Sequence, residues 1–195
     1  MTKTKEERLE VPRIELAGLQ ITVIGDSPLI THKWSDKAKK QMLDKQMKVA
    51  KTGKDAKDPE RDFEESIYRD RDGDCAFPSV AFKNAAVSAC RFTDGTKMTV
   101  ARGAFHVEGE FVKIIGVPTP REDMVRVGMG TADIRYRAEF LGWSAVVRIT
   151  YNKHAMSAEQ IVNLFNLAGF GVGIGEWRPE KNGQFGRFHV ATEGE

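Results

Sequence analysis

Two cysteines, Cys75 and Cys90, are all the thiols that the 195 residues carry. They are too few for a disulfide framework or a structural zinc site, so the expectation is a cytoplasmic chain with both thiols reduced. No apolar run approaches the roughly 18 residues a membrane-spanning helix needs, and no membrane association is expected. The opening MTKTKEERLE is charged and has no apolar stretch, so it does not read as a secretory signal. The four histidines, His32, His106, His154 and His189, are scattered without metal or triad spacing, and no metal is expected. There is no internal repeat and no low-complexity tract. Net charge is also small, only +2, so the overall balance does not announce a polyanion partner.

What is present is a globular composition. A hydrophobic fraction of 41% argues against wholesale disorder, and the length suits one core, with or without a large insertion. Charge is unevenly distributed. Nine lysines face three aspartates between Thr31 and Lys57, whereas Asp58–Asp74 is predominantly acidic. The lysine-rich run is either a solvated helix and loop or an electropositive arm along phosphates.

Residues 1–12 read as a flexible leader, followed by one domain over 13–195. Ile14–Ile24 alternates as a half-buried strand, with Leu19, Ile21 and Val23 inward, and Gly25-Asp26-Ser27-Pro28 ends it. Ser35 caps a predicted helix to about Ala50 with the stripe Ala38, Met42, Leu43 and Met47. Lys51–Arg61 reads as a loop and Phe63–Tyr68 as a short strand or turn. Phe77-Pro78-Ser79 opens a small-residue helix, Val80–Arg91, with Ser79 as its exposed cap. Met98–Val117 reads as two strands and Pro118–Thr131 as a loop. Ile134–Phe140 and Trp143–Tyr151 alternate as strands. Ser157 and Gln160 form a capping box for a helix whose face, Ile161, Leu164, Phe165 and Ala168, is closed by Gly169. Phe185–Val190 is a last strand. The order strand, helix, strand pair, helix, strand predicts an α+β, ferredoxin-like (βαββαβ, RRM-like) core, with a lysine-rich insertion at about 26–75.

The strongest local signal is the stretch Gly169–Gly186, with glycines at 169, 171, 173, 175, 183 and 186. Glycines allow backbone amides to approach an anion, and successive amides form anion-binding nests. Gly173 and Gly175 are the candidates for such a nest. Trp177 is placed to stack on a base, and Arg178, Lys181 and Arg187 to pair with phosphates. The alternative is a plain connection between a helix and an edge strand. No Gly-Lys-Ser/Thr follows, and the glycines do not join a strand to a helix, so neither a phosphate-binding P-loop nor a dinucleotide fingerprint is present. No cofactor is expected. Further basic candidates are Lys33, Lys37 and Lys40 in the insertion, Lys83 and Arg91 on the small-residue helix, and Arg135 and Arg137 on one strand face. Arg102, Arg121 and Arg126 sit on bends or loops. The Arg135/Arg137 face is either an open phosphate groove or is closed by pairing with Glu139 and neighbouring carboxylates.

Phe77-Pro78-Ser79-Val80-Ala81-Phe82-Lys83-Asn84-Ala85 resembles the proline–serine helix opening of the repeat-associated mysterious protein (RAMP) superfamily of CRISPR systems. Gly173-Ile-Gly175 and Gly183-Gln-Phe-Gly186-Arg-Phe188 are similar to that superfamily's C-terminal glycine-rich loop. The resemblance implies a relative of the backbone subunit that polymerises along guide RNA, as a stand-alone, phage-encoded protein. It implies single-stranded RNA ahead of DNA as partner, and a homo-oligomer. Asp26 is similar in position to the cleaving aspartate of some backbone subunits, which leaves it a weak catalytic candidate beside ordinary turn chemistry. A RAMP-type endoribonuclease and a phage assembly or CRISPR-interacting protein are the alternatives.

Overall fold

The computed structural model describes residues 13–49, 56–128, 130–192 and 194; the expected leader lies outside them. Strand β1 (Leu16–Gly25) is the spine of the main sheet. Its inward residues Ile21 and Val23 are buried while Gln20 and Thr22 face solvent, as alternation requires. It runs antiparallel to β8 (Ser144–Asn152), from Leu16 opposite Asn152 to Ile24 opposite Ser144. With β3 (Ala76–Pro78), β5 (Phe111–Ile115) and β9 (Phe188–Val190), the sheet order is β3-β5-β8-β1-β9; β4 (Phe105–Val107) also pairs with β8. Helices α3 (Ser79–Ala89) and α5 (Ala158–Gly171) pack on each other and on the buried face of this sheet. Small residues allow that approach: Ala85, Ala86 and Ala89 of α3 are buried, as is Ala168 of α5. On its other face Gln20, Thr22, Val146 and Arg148 are exposed.

A second, three-stranded sheet has the order β2-β7-β6, built from β2 (Leu29–Thr31), β6 (Pro118–Val127) and β7 (Thr131–Phe140). The chain is thus α+β, with antiparallel sheets and five helices among the described residues. None of these helices is long and apolar enough to cross a membrane. The remaining helices are α1 (Asp36–Gln46), α2 (Pro59–Glu65) and α4 (Met98–Ala104).

Several expectations need correction. Pro118–Thr131 is not a loop but mostly β6, half of a long hairpin. Its two prolines, Pro118 and Pro120, sit on the outer edge of the sheet, where no ladder amide is needed. Met98–Ala104 is α4 rather than a strand, because Ala101 and Ala104 bury one helical face. Phe63 lies in α2, which Asp58 caps by accepting from the Arg61 amide. Ser79 is not an exposed cap. It is buried, its hydroxyl donates to Gly109 O at 2.6 Å, and the cap position belongs to Pro78. Gly169 does not close α5, which continues to Gly171. A Cβ on Gly169 would lie 1.7 Å from Phe188 O, so glycine here serves the contact with β9. The caps at Ser35 and Ser157 form as the residue patterns predict.

Candidate functional site

The glycine-rich stretch leaves α5 and folds back on itself before entering β9. Its amides largely serve the protein. Gly173 N donates to Ala168 O at 2.7 Å, Ile174 N to Gly186 O at 3.0 Å, Glu176 N to Ile30 O at 2.9 Å and Gly186 N to Pro28 O at 2.8 Å. Gly183 N and Phe185 N bond Arg178 O and Trp177 O. The expected nest of amides turned outward is therefore not the arrangement at Gly173. Gly186 has φ +64°, and a Cβ there would meet Ile174 O at 1.7 Å. These glycines let three backbone segments touch.

Trp177 also differs from expectation. Its ring lies 4.8 Å from the Arg137 guanidinium and 5.5 Å from that of Arg121, with Phe185 6.1 Å away on centroids. Arg137 is 4% exposed and pairs with Asp123 at 3.0 Å and Glu176 at 3.7 Å; its Nε is buried with no hydrogen-bond partner among the described residues. Arg121 pairs with Glu139 at 2.7 Å and Asp123 at 2.9 Å. The hairpin β6–β7 is thus fastened to the glycine loop through stacked guanidiniums and the indole. Of the two readings of the Arg135/Arg137 face, closure by carboxylates is the one found at Arg137. Arg135 sits farther along β7, half-buried, 3.6 Å from Asp133.

Beside this stack a cleft of about 340 Å³ opens between α3 and the loop. One wall is the start and exposed side of α3: Pro78, Val80, Ala81, Asn84 and Ser88. No described side chain caps this helix; the Ser79 amide donates to Glu110 O at 2.9 Å, and the amides that follow it in the first turn lie at the positive end of the helix dipole. The opposite wall is Val172–Glu176 with Arg178 and Glu180. Arg178 Nη1 donates to Gly175 O at 3.2 Å, and its Nη2 pairs with Glu180 at 2.9 Å. Arg91, from beyond the end of α3, reaches the same carboxylate at 3.5 Å. Glu180 thus serves two guanidiniums, and with Glu176 on the same wall the formal charges of Arg91, Arg178, Glu176 and Glu180 cancel. His32 and Tyr68 complete the lining. Burial, aided by Arg137, pushes the His32 pKa down, so its imidazole is neutral near neutral pH. Burial and Glu176 push the Tyr68 phenol up.

The structure therefore brings together Gly173, Gly175, Arg178 and Arg91, with Lys181 exposed on the short turn that follows. It places the other candidates elsewhere. Lys83 is on the far side of α3, 3.0 Å from His106 Nδ1, and burial lowers its pKa. Lys33 follows β2, and its amide bonds Ser66 O. Lys40 is exposed on α1; Lys37 is on the same helix, its side chain outside the described residues. Arg187 donates its amide to Ser27 Oγ, and its Nε is buried without a hydrogen-bond partner among the described residues.

Sequence reading missed two features. Asp26 and His189, which lie far apart along the chain, meet at 2.6 Å between Oδ1 and Nδ1. The register that puts Ile24 opposite His189 creates this pair, and no linear spacing encodes it. The His189 Nε2 is buried, so the nitrogen a general base would present does not face solvent. The second is exposed aromatic surface: Trp34, two residues past His32, and Phe92 and Phe170 beyond the cleft. No group of three or more His, Cys, Asp or Glu side chains among the described residues is placed to hold a metal.

No protein-family model matches this chain, and no curated protein matches it. Among solved structures, the crystal structure of Cmr6 from Pyrococcus furiosus is similar, with a TM-score of 0.48 and 9% identity over 92% of this chain and 100% of that one.

Proposed function

We propose that this protein is a sequence-independent binder of single-stranded nucleic acid, RNA ahead of DNA, built on a ferredoxin-like core of the RAMP kind. The support for the core is topological. β1, α3, β5, β8, α5 and β9 follow as strand, helix, strand, strand, helix, strand, and the four strands stand in the order β5-β8-β1-β9.

The observation that carries the function is the cleft. An uncapped eleven-residue helix, the glycine-rich segment and the Arg178 guanidinium open onto it, and Arg91 reaches its rim through Glu180. Helix amides and two guanidinium groups favour an anion, and the absence of a P-loop or dinucleotide pattern favours a polymer backbone over a nucleotide cofactor. Arg178, Arg91 and Lys181 take the phosphates. The chain repeats along the strand as a homo-oligomer, with α1 and its lysines meeting the neighbouring copy or the strand.

Fluorescence anisotropy with a single-stranded 30-mer across a salt series tests the reading. With three phosphate contacts, log affinity should fall against log salt with a slope of about −2. No binding at low salt would overturn it.

A further inference from the structure

We propose that Phe92 and Phe170 form a stacking platform for unpaired nucleobases, continuing the strand's path out of the cleft. This inference rests on the phosphate-binding reading above and adds a second kind of contact to it. Phe170 is 76% exposed and Phe92 is 53% exposed, although both belong to segments packed on the core. The Phe92 ring lies against the backbone of Gly171: a Cβ there would come within 2.9 Å of the ring's Cε2. Only a glycine lets the ring sit flush on the end of α5. Phe170 is the residue before that glycine, so its Cα is about 3.8 Å from that of Gly171, and both exposed phenylalanines belong to the same end of α5.

The platform is continuous with the cleft. Arg91 precedes Phe92, its Nε donates to Ser88 O at 3.1 Å, and its Nη2 reaches Glu180; Ser88 and Glu180 both line the cleft. A strand whose phosphates lie at Arg91 and Arg178 passes its bases over Phe92. Isolated exposed apolar residues need no explanation, but two exposed phenylalanines at one helix end, one of them following Arg91, match the chemistry of single-strand binding, in which aromatic faces take bases and cations take phosphates. The occupant is thus a base-bearing strand rather than a protein segment. Trp177, the indole that sequence alone nominates, is held by Arg137 and Arg121 instead.

The test compares two oligomers of equal length and phosphate count: oligothymidylate and an abasic deoxyribose-phosphate chain. Anisotropy at one low salt concentration should show oligothymidylate bound at least about tenfold tighter, since stacking on an aromatic side chain is worth of that order per base. Phe170→Ala should bring the ratio toward one. So should Phe92→Leu, which keeps apolar volume over Gly171; the melting temperature of each variant reports folding. Equal binding of the two oligomers by the wild type, or a ratio unmoved in both folded variants, overturns the platform while leaving phosphate binding standing. If neither oligomer binds, both readings fall.

Discussion

The glycine-rich loop is held on every side, whereas helix α1 buries none of its described residues. In the loop, backbone amides bond Ala168, Pro28 and Ile30, Gly186 meets a carbonyl that no Cβ would tolerate, and Arg137 and Arg121 cover Trp177. In α1 no described residue is buried, and Met42 and Leu43, with Met47 just past its end, stand 50%, 54% and 65% exposed. Both segments carry the residue types expected near phosphate. The difference is that a glycine serves backbone proximity of any kind, to a ligand or to another stretch of chain, while a lysine needs only solvent. Glycine-rich composition is thus evidence of close approach, and the structure must say to what.

The comparison breaks most visibly at the loop's fastening. Asp123 is 7% exposed and holds both Arg137 and Arg121. Asp123→Ala leaves Arg137 with only Glu176, at 3.7 Å, and should cost about 3–5 kcal/mol in urea unfolding. A loss below about 1 kcal/mol would mean that the stack is ornamental and the loop is held elsewhere. Gly186→Ala comes next. It forces an L side chain into φ +64° and against Ile174 O, so about 3 kcal/mol is expected from strain and overpacking together. The same change at Gly18, where nothing lies within 4 Å of an added Cβ, should be close to neutral.

A smaller effect concerns His32, on the cleft wall beneath the loop. Its folded-state pKa lies below the unfolded value, so the folded protein takes up a proton less readily than the unfolded chain. The stability that this contributes is complete above about pH 6.5 and is lost as pH falls from there through the folded pKa. Thermal melts between pH 7.5 and pH 5 should show a decline that is shallower in His32→Asn. An identical decline would remove His32 as a cause and leave the carboxylates, among them Asp133, which Lys57 holds below its usual range.

Much of the fold is legible locally. Period-two alternation gives β1 and β8, and caps give α1 and α5, because each rests on neighbours within a few residues. β6 is not legible: Pro118 and Pro120 read as loop residues unless the strand is known to lie at an edge. The cleft is half legible. Its two walls both stand out along the chain, at Phe77–Ala85 and at Gly173–Gly175, yet nothing in the sequence says that they face each other. Asp26 with His189, and Phe92 on Gly171, are products of register and helix packing, and composition carries no trace of either.

The smallest effect on stability belongs to α1, and it sharpens the contrast from the other side. Met42→Glu with Leu43→Glu changes exposed positions that support no core, so unfolding should move by less than about 0.5 kcal/mol. If α1 meets a neighbouring copy, those side chains are buried there, and two carboxylates in their place must be desolvated without partners. Sedimentation on a long single strand should then show the variant bound but no longer assembled, whereas on a strand one site long it should match the wild type. Binding lost on both lengths would instead mean that α1 touches the strand directly, through lysines such as Lys40 whose field the new carboxylates cancel. Unchanged assembly would leave α1 a solvated helix with no partner of its own kind, and would confine the function to the loop and its cleft.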